Sequence, residues 1–413
     1  MPITENKKIS VLLIFPISLI ILAFIFDDTS NIVNGLYRII INPDILLTDY
    51  LKVGGLGATF INSAILSLLN IYLIKKLDIK VNGISIAAIF IITGFAFLGK
   101  NIYNVWPIYL GGYLYSRYQK SSFKSVALIT MFGTAISPLV NEISYGLNLP
   151  YPINILAGIL VGVLAGFVLP PLSAHLLRAH AGYSLYNIGF TAGFLGTVIA
   201  SLLRSFGLTI ESTLILSNEY DLLMKIYLTS FFILLIIIGF IFNEKSFKNY
   251  SDIFEYSGRL ITDFTQLTNF GIALINMGIM GLIGMIYVII SRGVVDGPIV
   301  GALLTIVGFA SFGKHPKNCI PILIGVFLGS LVNIWDGQST VVIIAGLFGT
   351  TLAPIAGEYG WLRGILAGFL HLSVVMNIGV IHGGINLYNN GFSGGLVASF
   401  LVPIIDAFKK EDK

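Results

Sequence analysis

The chain has 413 residues, of which 56% are hydrophobic and 11% charged, where an average soluble domain carries about 25% charged residues. It cannot clothe itself in a charged surface, which excludes a soluble enzyme, a nucleic-acid binder and a secreted module. The net charge of +4 is mild, and the single cysteine, Cys319, excludes an internal disulfide framework or a cysteine metal cluster. A spanning helix takes about 20 apolar residues, roughly 30 with its loop, so the length allows at most about 14 crossings. The apolar runs lack period-2 alternation, which leaves a helical bundle and not a β-barrel.

In chain order, Lys7-Lys8 lead into an apolar run over 9–26 that ends in Phe26-Asp27-Asp28 without a small-residue cleavage site. It reads as a retained first helix. Further apolar segments are expected at 53–74, 82–99, 102–117, 124–146, 153–172 and 185–203. A second set lies at 225–242, 267–290, 296–312, 318–334, 339–356, 363–381 and 385–405. The segments 82–99 and 124–146 contain Gly, Pro, Asn or Glu and can be re-entrant or broken, giving 10, 12 or 14 crossings. The weakly apolar stretches 30–52 and 246–266 contain Arg38, Asp44, Asp49, Arg259 and Asp263, and read as interfacial amphipathic helices.

The chain is internally duplicated. A shift of 214 residues aligns Thr48-Asp49-Tyr50, Gly57 and Ile61-Asn62 with Thr262-Asp263-Phe264, Gly271 and Ile275-Asn276. Between 82 and 111 the shift gives 12 identities in 30 positions, among them Gly99-Lys100, Asn104 and Pro107 against Gly313-Lys314, Asn318 and Pro321. Composition bias does not place Lys, Asn and Pro in register. Two motifs recur at slightly different offsets. One is FGT-x3-P-x3-E, ending at Glu142 and Glu358. The other is H-x-G-x2-L-Y-N-x-G-F-x2-G, from His180 to Gly193 and from His382 to Gly395. The copies are 1–212 and 213–413.

Seven segments per copy is an odd number, so the second copy is expected upside down relative to the first. Charge agrees. With the N-terminus inside, 18 Lys and Arg fall inside and 6 outside. Lys409, Lys410 and Lys413 count inside, whereas Lys100 and Lys314 fall on opposite faces. The expectation is a polytopic helical bundle of two inverted-topology repeats in the cell (inner) membrane, with both termini cytoplasmic.

Inverted repeats meet near the bilayer midplane, at discontinuous helices marked by paired Gly or Pro interruptions. The second motif fits that pattern. Its glycines can break a helix, and Tyr186, Asn187, Tyr388 and Asn389 offer aromatic walls and amides. His180 and His382 can donate, accept or carry a proton. Helix packing is the alternative reading of the same residues. Glu142 and Glu358 are intramembrane carboxylates or interfacial caps. Asp49 and Asp263 read as N-caps, Asn62 and Asn276 as interhelical hydrogen-bonders. Lys100 and Lys314 read as cations at helix ends, or as an anion-attracting vestibule. No P-loop, H-E-x-x-H or G-x-S-x-G motif is present.

The doubled glycine-rich motifs resemble an uncharacterised bacterial membrane family known only as a domain of unknown function. More loosely, Leu185-Tyr186-Asn187-Ile188-Gly189-Phe190 is similar in composition to a stretch of urea transporters. Ammonium channels place one histidine per inverted half in the pore, as His180 and His382 would be here. The expected function is a transporter or channel for a small polar solute or ion, without cofactor, metal or catalytic residues. The expected substrate-binding residues are His180, Tyr186, Asn187, Glu142, His382, Tyr388, Asn389 and Glu358. Expected partners are the solute, the lipid bilayer and further copies of the chain, and not nucleic acid. The alternatives are a membrane-embedded enzyme acting on a lipid-like substrate, and a subunit of a larger membrane complex.

Overall fold

The structure is a computed structural model, and it describes residues 3–44, 47–208, 210 and 214–408. The first copy contains α1 (Glu5–Phe26), α2 (Thr29–Ile41), α3 (Tyr50–Val53), α4 (Leu56–Lys76), α5 (Gly83–Phe95), α6 (Ile102–Tyr118), α7 (Ala127–Gly133), α8 (Pro138–Asn141), α9 (Ile153–Leu176) and α10 (Asn187–Ser205). The second contains α11 (Asp221–Phe242), α12 (Phe264–Leu267), α13 (Phe270–Ile290), α14 (Gly297–Ala310), α15 (Pro316–Val332), α16 (Thr340–Gly349), α17 (Ala353–Tyr359), α18 (Trp361–Ile378) and α19 (Asn389–Ala407). Every one of the fourteen expected apolar segments holds a helix. Lys409, Lys410, Lys413 and the 212/213 boundary lie outside the described residues.

Among the described residues, nine helices are long and apolar enough to cross a membrane, and one bent pair is either a tenth, broken span or a re-entrant loop. The molecule is a multi-pass helical membrane protein. The bent pair is 127–136 with 138–146, turned by 48°. Pro138 lacks the N–H a continuous helix needs, and instead starts a new helix at its first position. The segment 124–146 is therefore broken.

The stretch 30–52 contains an amphipathic helix: α2 buries Ile32, Gly35 and Ile39 and exposes Val33 and Tyr37. Its counterpart 246–266 departs from expectation. It holds a 3-10 turn over Tyr250–Glu255, then irregular chain. Asn249 adopts a left-handed φ of 66°. Asn243 spends its amide on the Ser246 and Lys248 carbonyls, at 2.7 and 3.2 Å. Ser, Asn and Asp side chains compete here with helical hydrogen bonds.

The two copies repeat their internal packing: α1 lies on α4 as α11 lies on α13, and α6 on α9 as α15 on α18. A Cβ at Gly111 would collide with the Val163 carbonyl oxygen, and one at Gly325 with that of Ile365. Such backbone contact is how small residues join helices without a hydrophobic driving force.

Between copies, the contacts are reciprocal. Equivalent helices α5 and α14 run antiparallel in contact. Gly94 near the end of α5 meets Gly301 near the start of α14, and Gly308 near the end of α14 meets Ala87 near the start of α5. The Gly83 N–H at the start of α5 donates to both oxygens of Asp263 at 3.1 Å. The start of α14 is capped likewise, by Gly297 N–H donating to Asp49. Both aspartates also cap their own short helix, at Leu51 N and Thr265 N (2.9 Å each). The N-cap reading of Asp49 and Asp263 thus gains a second half. Each also caps a helix of the other copy.

Candidate functional site

The links between copies converge on a cavity of about 330 Å³. Its walls come largely in equivalent pairs: Phe95 and Phe309, Phe132 and Phe348, Leu185 and Leu387, Tyr186 and Tyr388, Gly189 and Gly391. The first turns of α10 and α19 pass each other there, with Gly189 against Gly391. Gly193 meets Phe392 as Gly395 meets Phe190. Two helix N-termini, each carrying partial positive charge, therefore overlap at the cavity wall.

The chain before each helix is anchored on the opposite copy. Leu185 N–H donates to Thr351 O, and Leu387 N–H to Ala135 O, both at 3.0 Å. Asn187 and Asn389 begin their helices and brace the loops ahead of them. The Asn187 carbonyl lies 3.0 Å from His180 Nε2 and that of Asn389 2.9 Å from His382 Nε2. The Asn187 and Asn389 amides donate to Ser173 O and Val375 O. Of the expected site residues, Tyr186, Asn187 and Tyr388 line the cavity. His180, His382 and Asn389 stand behind it in the loop brace. Glu142 is buried and Glu358 is exposed, and neither reaches the cavity. The two glutamates are not equivalent in space.

Sequence reasoning gave Lys100 and Lys314 to loop ends on opposite faces. Both are instead fully buried. Each follows a glycine of positive φ, 72° at Gly99 and 87° at Gly313, a conformation that suits glycine at the end of a helix. A Cβ there would press on Leu387 or on Leu185, the leucine of the opposite copy's motif. The turns are held by Asn62, donating to Ala96 O and Lys100 O at 2.8 Å. Asn276 does the same, to Ala310 O (2.6 Å) and Lys314 O (2.7 Å). The interhelical role expected of these asparagines is what they perform.

The lysines then reach across. Lys100 Nζ donates to Tyr388 OH at 2.7 Å and lies 4.7 Å from the centre of that ring and 5.1 Å from Phe95. Lys314 Nζ donates to Tyr186 OH and, at 2.7 Å, to Thr350 Oγ1, and lies 4.5 Å from Tyr186 and 5.4 Å from Phe309. Ring faces attract such cations. The ion pairs among the described residues are Lys8–Glu5, Lys124–Asp78 and Lys225–Asp221. Among the described residues neither central lysine has a carboxylate partner. The signal for them was present in the sequence, as a Gly-Lys pair kept in register inside two apolar blocks.

A second polar cluster lies in the first copy alone, in the loop after α2. Asp44 Oδ2 accepts from Tyr50 OH (2.7 Å), Asn104 Nδ2 (3.1 Å) and Asn101 Nδ2 (3.3 Å). Burial pushes this carboxyl up to about 8, against the pull of the Tyr50 hydrogen bond; the charge of nearby Glu142 adds to the rise. Among the described residues no three His, Cys, Asp or Glu side chains gather as a metal cluster.

No curated protein and no solved structure matches the chain, so the likeness to urea transporters has no counterpart there. The profile of one family, a protein of unknown function (DUF1576), matches residues 28–205 and 242–407. One block falls within each of the two copies read from the sequence, and together they make up well over half of the chain. The chain belongs to the DUF1576 family.

Proposed function

We propose that the protein is a transporter or channel whose solute passes between two inverted repeats, and that this solute is a small anion. The observation that carries the reading is the pair of buried lysines. Two buried lysines without carboxylate partners among the described residues, in a bundle of membrane helices, are costly to charge unless a negative charge comes to them. The cavity they flank is lined by two helix N-termini, which favour the same charge. Its volume falls within the range of small-molecule sites, and its mostly apolar wall suits an anion with an apolar body. The reciprocal Lys–Tyr links give both halves equal access to it, as alternating access or a symmetric pore requires.

Inversion is supported by the antiparallel contact of α5 and α14. An axis relating two equivalent antiparallel helices is perpendicular to both, and for helices along the bilayer normal it lies in the membrane plane. Parity and the basic-residue bias point the same way, and setting aside Lys100 and Lys314 removes one cation from each side. The same bias supports cytoplasmic termini, and the cell membrane is the location this reading adopts.

The test is light-scattering of proteoliposomes in isotonic potassium monocarboxylate with valinomycin, so that potassium follows the anion, against isotonic neutral polyols. Monocarboxylates are expected to enter, with Lys100→Met and Lys314→Met each slowing entry at least about tenfold, the equivalent of 1.4 kcal/mol. Entry of polyols but not monocarboxylates, or full anion flux in both variants, overturns the reading.

A further inference from the structure

We infer that the first copy alone carries a site for a small monovalent cation of the sodium class, formed by Asp44, Asn141 and Glu142 at the C-terminal end of α2. Asn141 ties α8 to that end: its Nδ2 donates to Ile40 O at 3.0 Å and to Asn42 O at 2.7 Å. Asn101 ties α6 to it from the other side, through Ile39 O and Asp44 Oδ2, both at 3.3 Å. Asp44, Asn141 and Glu142 are 0, 0 and 3% exposed. After these bonds are made, each still holds a buried oxygen with no hydrogen-bond partner among the described residues: Asp44 Oδ1, Asn141 Oδ1 and Glu142 Oε2. An orphaned buried acceptor costs free energy. Three of them, two on carboxylates, beside the negative end of a helix, call for a cation.

All available donors are oxygens, which selects a hard ion. Calcium takes six to eight oxygens and magnesium keeps its waters, more than this buried corner offers. The two acids have no basic partner in an ion pair among the described residues. The carboxylate of Glu142 folds back over Gly146, where any Cβ would strike it.

The second copy has lost the set. By the internal alignment Asp44 corresponds to Gly258, Tyr50 to Phe264, Asn101 to His315 and Asn141 to Gly357, while the counterpart Glu358 is exposed. An ion bound at such a site is placed to couple its own gradient to the movement of the solute. The site itself does not depend on the identity of the solute, because ion binding is measured without flux.

The experiment is thermal unfolding of the purified full-length protein in detergent, with NaCl titrated against KCl and choline chloride at constant ionic strength. Ligand that binds the folded state alone raises the melting temperature with concentration. Sodium is expected to raise it logarithmically once its concentration exceeds the dissociation constant, and choline not at all. Asp44→Asn and Glu142→Gln, each isosteric, are expected to move the onset of that rise to a sodium concentration at least about tenfold higher. Glu358→Gln should respond as wild type. Binding of radioactive sodium to the wild type gives the same answer without any variant. No sodium-specific response in the wild type, an unchanged response in either isosteric variant, or an equal loss in Glu358→Gln overturns the site.

Discussion

In the first half of the molecule Asn62 holds the turn that carries Lys100, and Lys100 donates to Tyr388. In the second half Asn276 holds the turn of Lys314, and Lys314 donates to Tyr186. Around this crossing the Asn, Lys and Tyr of the two halves match, although Lys314 also donates to Thr350. Away from it they part. Asp44 and Asn141 face Gly258 and Gly357, and the cavity residues Asn390 and Thr305 stand where the first half has Ile188 and Ile91. A duplicated contact that both halves keep is one the shared architecture needs. A polar group that only one half keeps is a departure from that architecture, and in a membrane such a group needs its own justification.

That distinction can be broken by paired substitutions, and the largest effect belongs to the helix crossings. Gly111→Leu and Gly325→Leu would each drive a side chain into a backbone carbonyl. Each should cost about 1–3 kcal/mol or more in thermal unfolding, since overpacking cannot be relieved by rotating a neighbour's side chain. The matched pair should lose stability alike. A large loss in one and none in the other would separate the two crossings.

Next come Asn62→Leu and Asn276→Leu. Each strips donors from two buried carbonyls, at an expected cost of about 1–3 kcal/mol. Both should also loosen the turn beneath the lysine. Anion flux in proteoliposomes should therefore fall in both, and flux that survives with stability lost would detach the turn from the solute path.

The sequence carried much of this because hydrophobic length and duplication are local signals. Fourteen apolar runs became fourteen helical segments, and the in-register Lys, Asn and Asp residues all proved to be contacts. It could not say which copy each would touch. Lys100 sits 86 residues before Tyr186 and 288 before Tyr388, and nothing in its own neighbourhood chooses between them. The pairing is settled by the antiparallel packing of α5 with α14. Asp44 was hidden for a different reason. It lies in a weakly apolar stretch with a glycine as its counterpart, so a search for recurring polar residues passes over it. The stretch 246–266 resembles α2 in composition, yet Asn243 and Ser246 take backbone bonds a helix would use, and only its end, in α12, is α-helical.

The smallest expected effect makes the sharpest use of the comparison. His371 Nε2 lies 3.0 Å from the carbonyl oxygen of Asn390, a cavity residue, and both are buried. At the offset relating α9 to α18 and α10 to α19, these positions are Leu169 and Ile188 in the first copy. The first half shows that the architecture accepts an apolar pair here. Asn390→Ile alone strands the His371 nitrogen in an apolar setting and should cost about 1–3 kcal/mol. His371→Leu with Asn390→Ile removes both polar partners together and rebuilds the first half's pair, so its cost should be close to zero. The double-mutant cycle should then report a coupling of about 0.5–3 kcal/mol. If the pair is only packing, the double variant also transports as wild type. If the polar corner orients the solute in the cavity, stability is kept and anion flux falls. The cycle thus separates a polar pair kept for the fold from one kept for what enters the cavity.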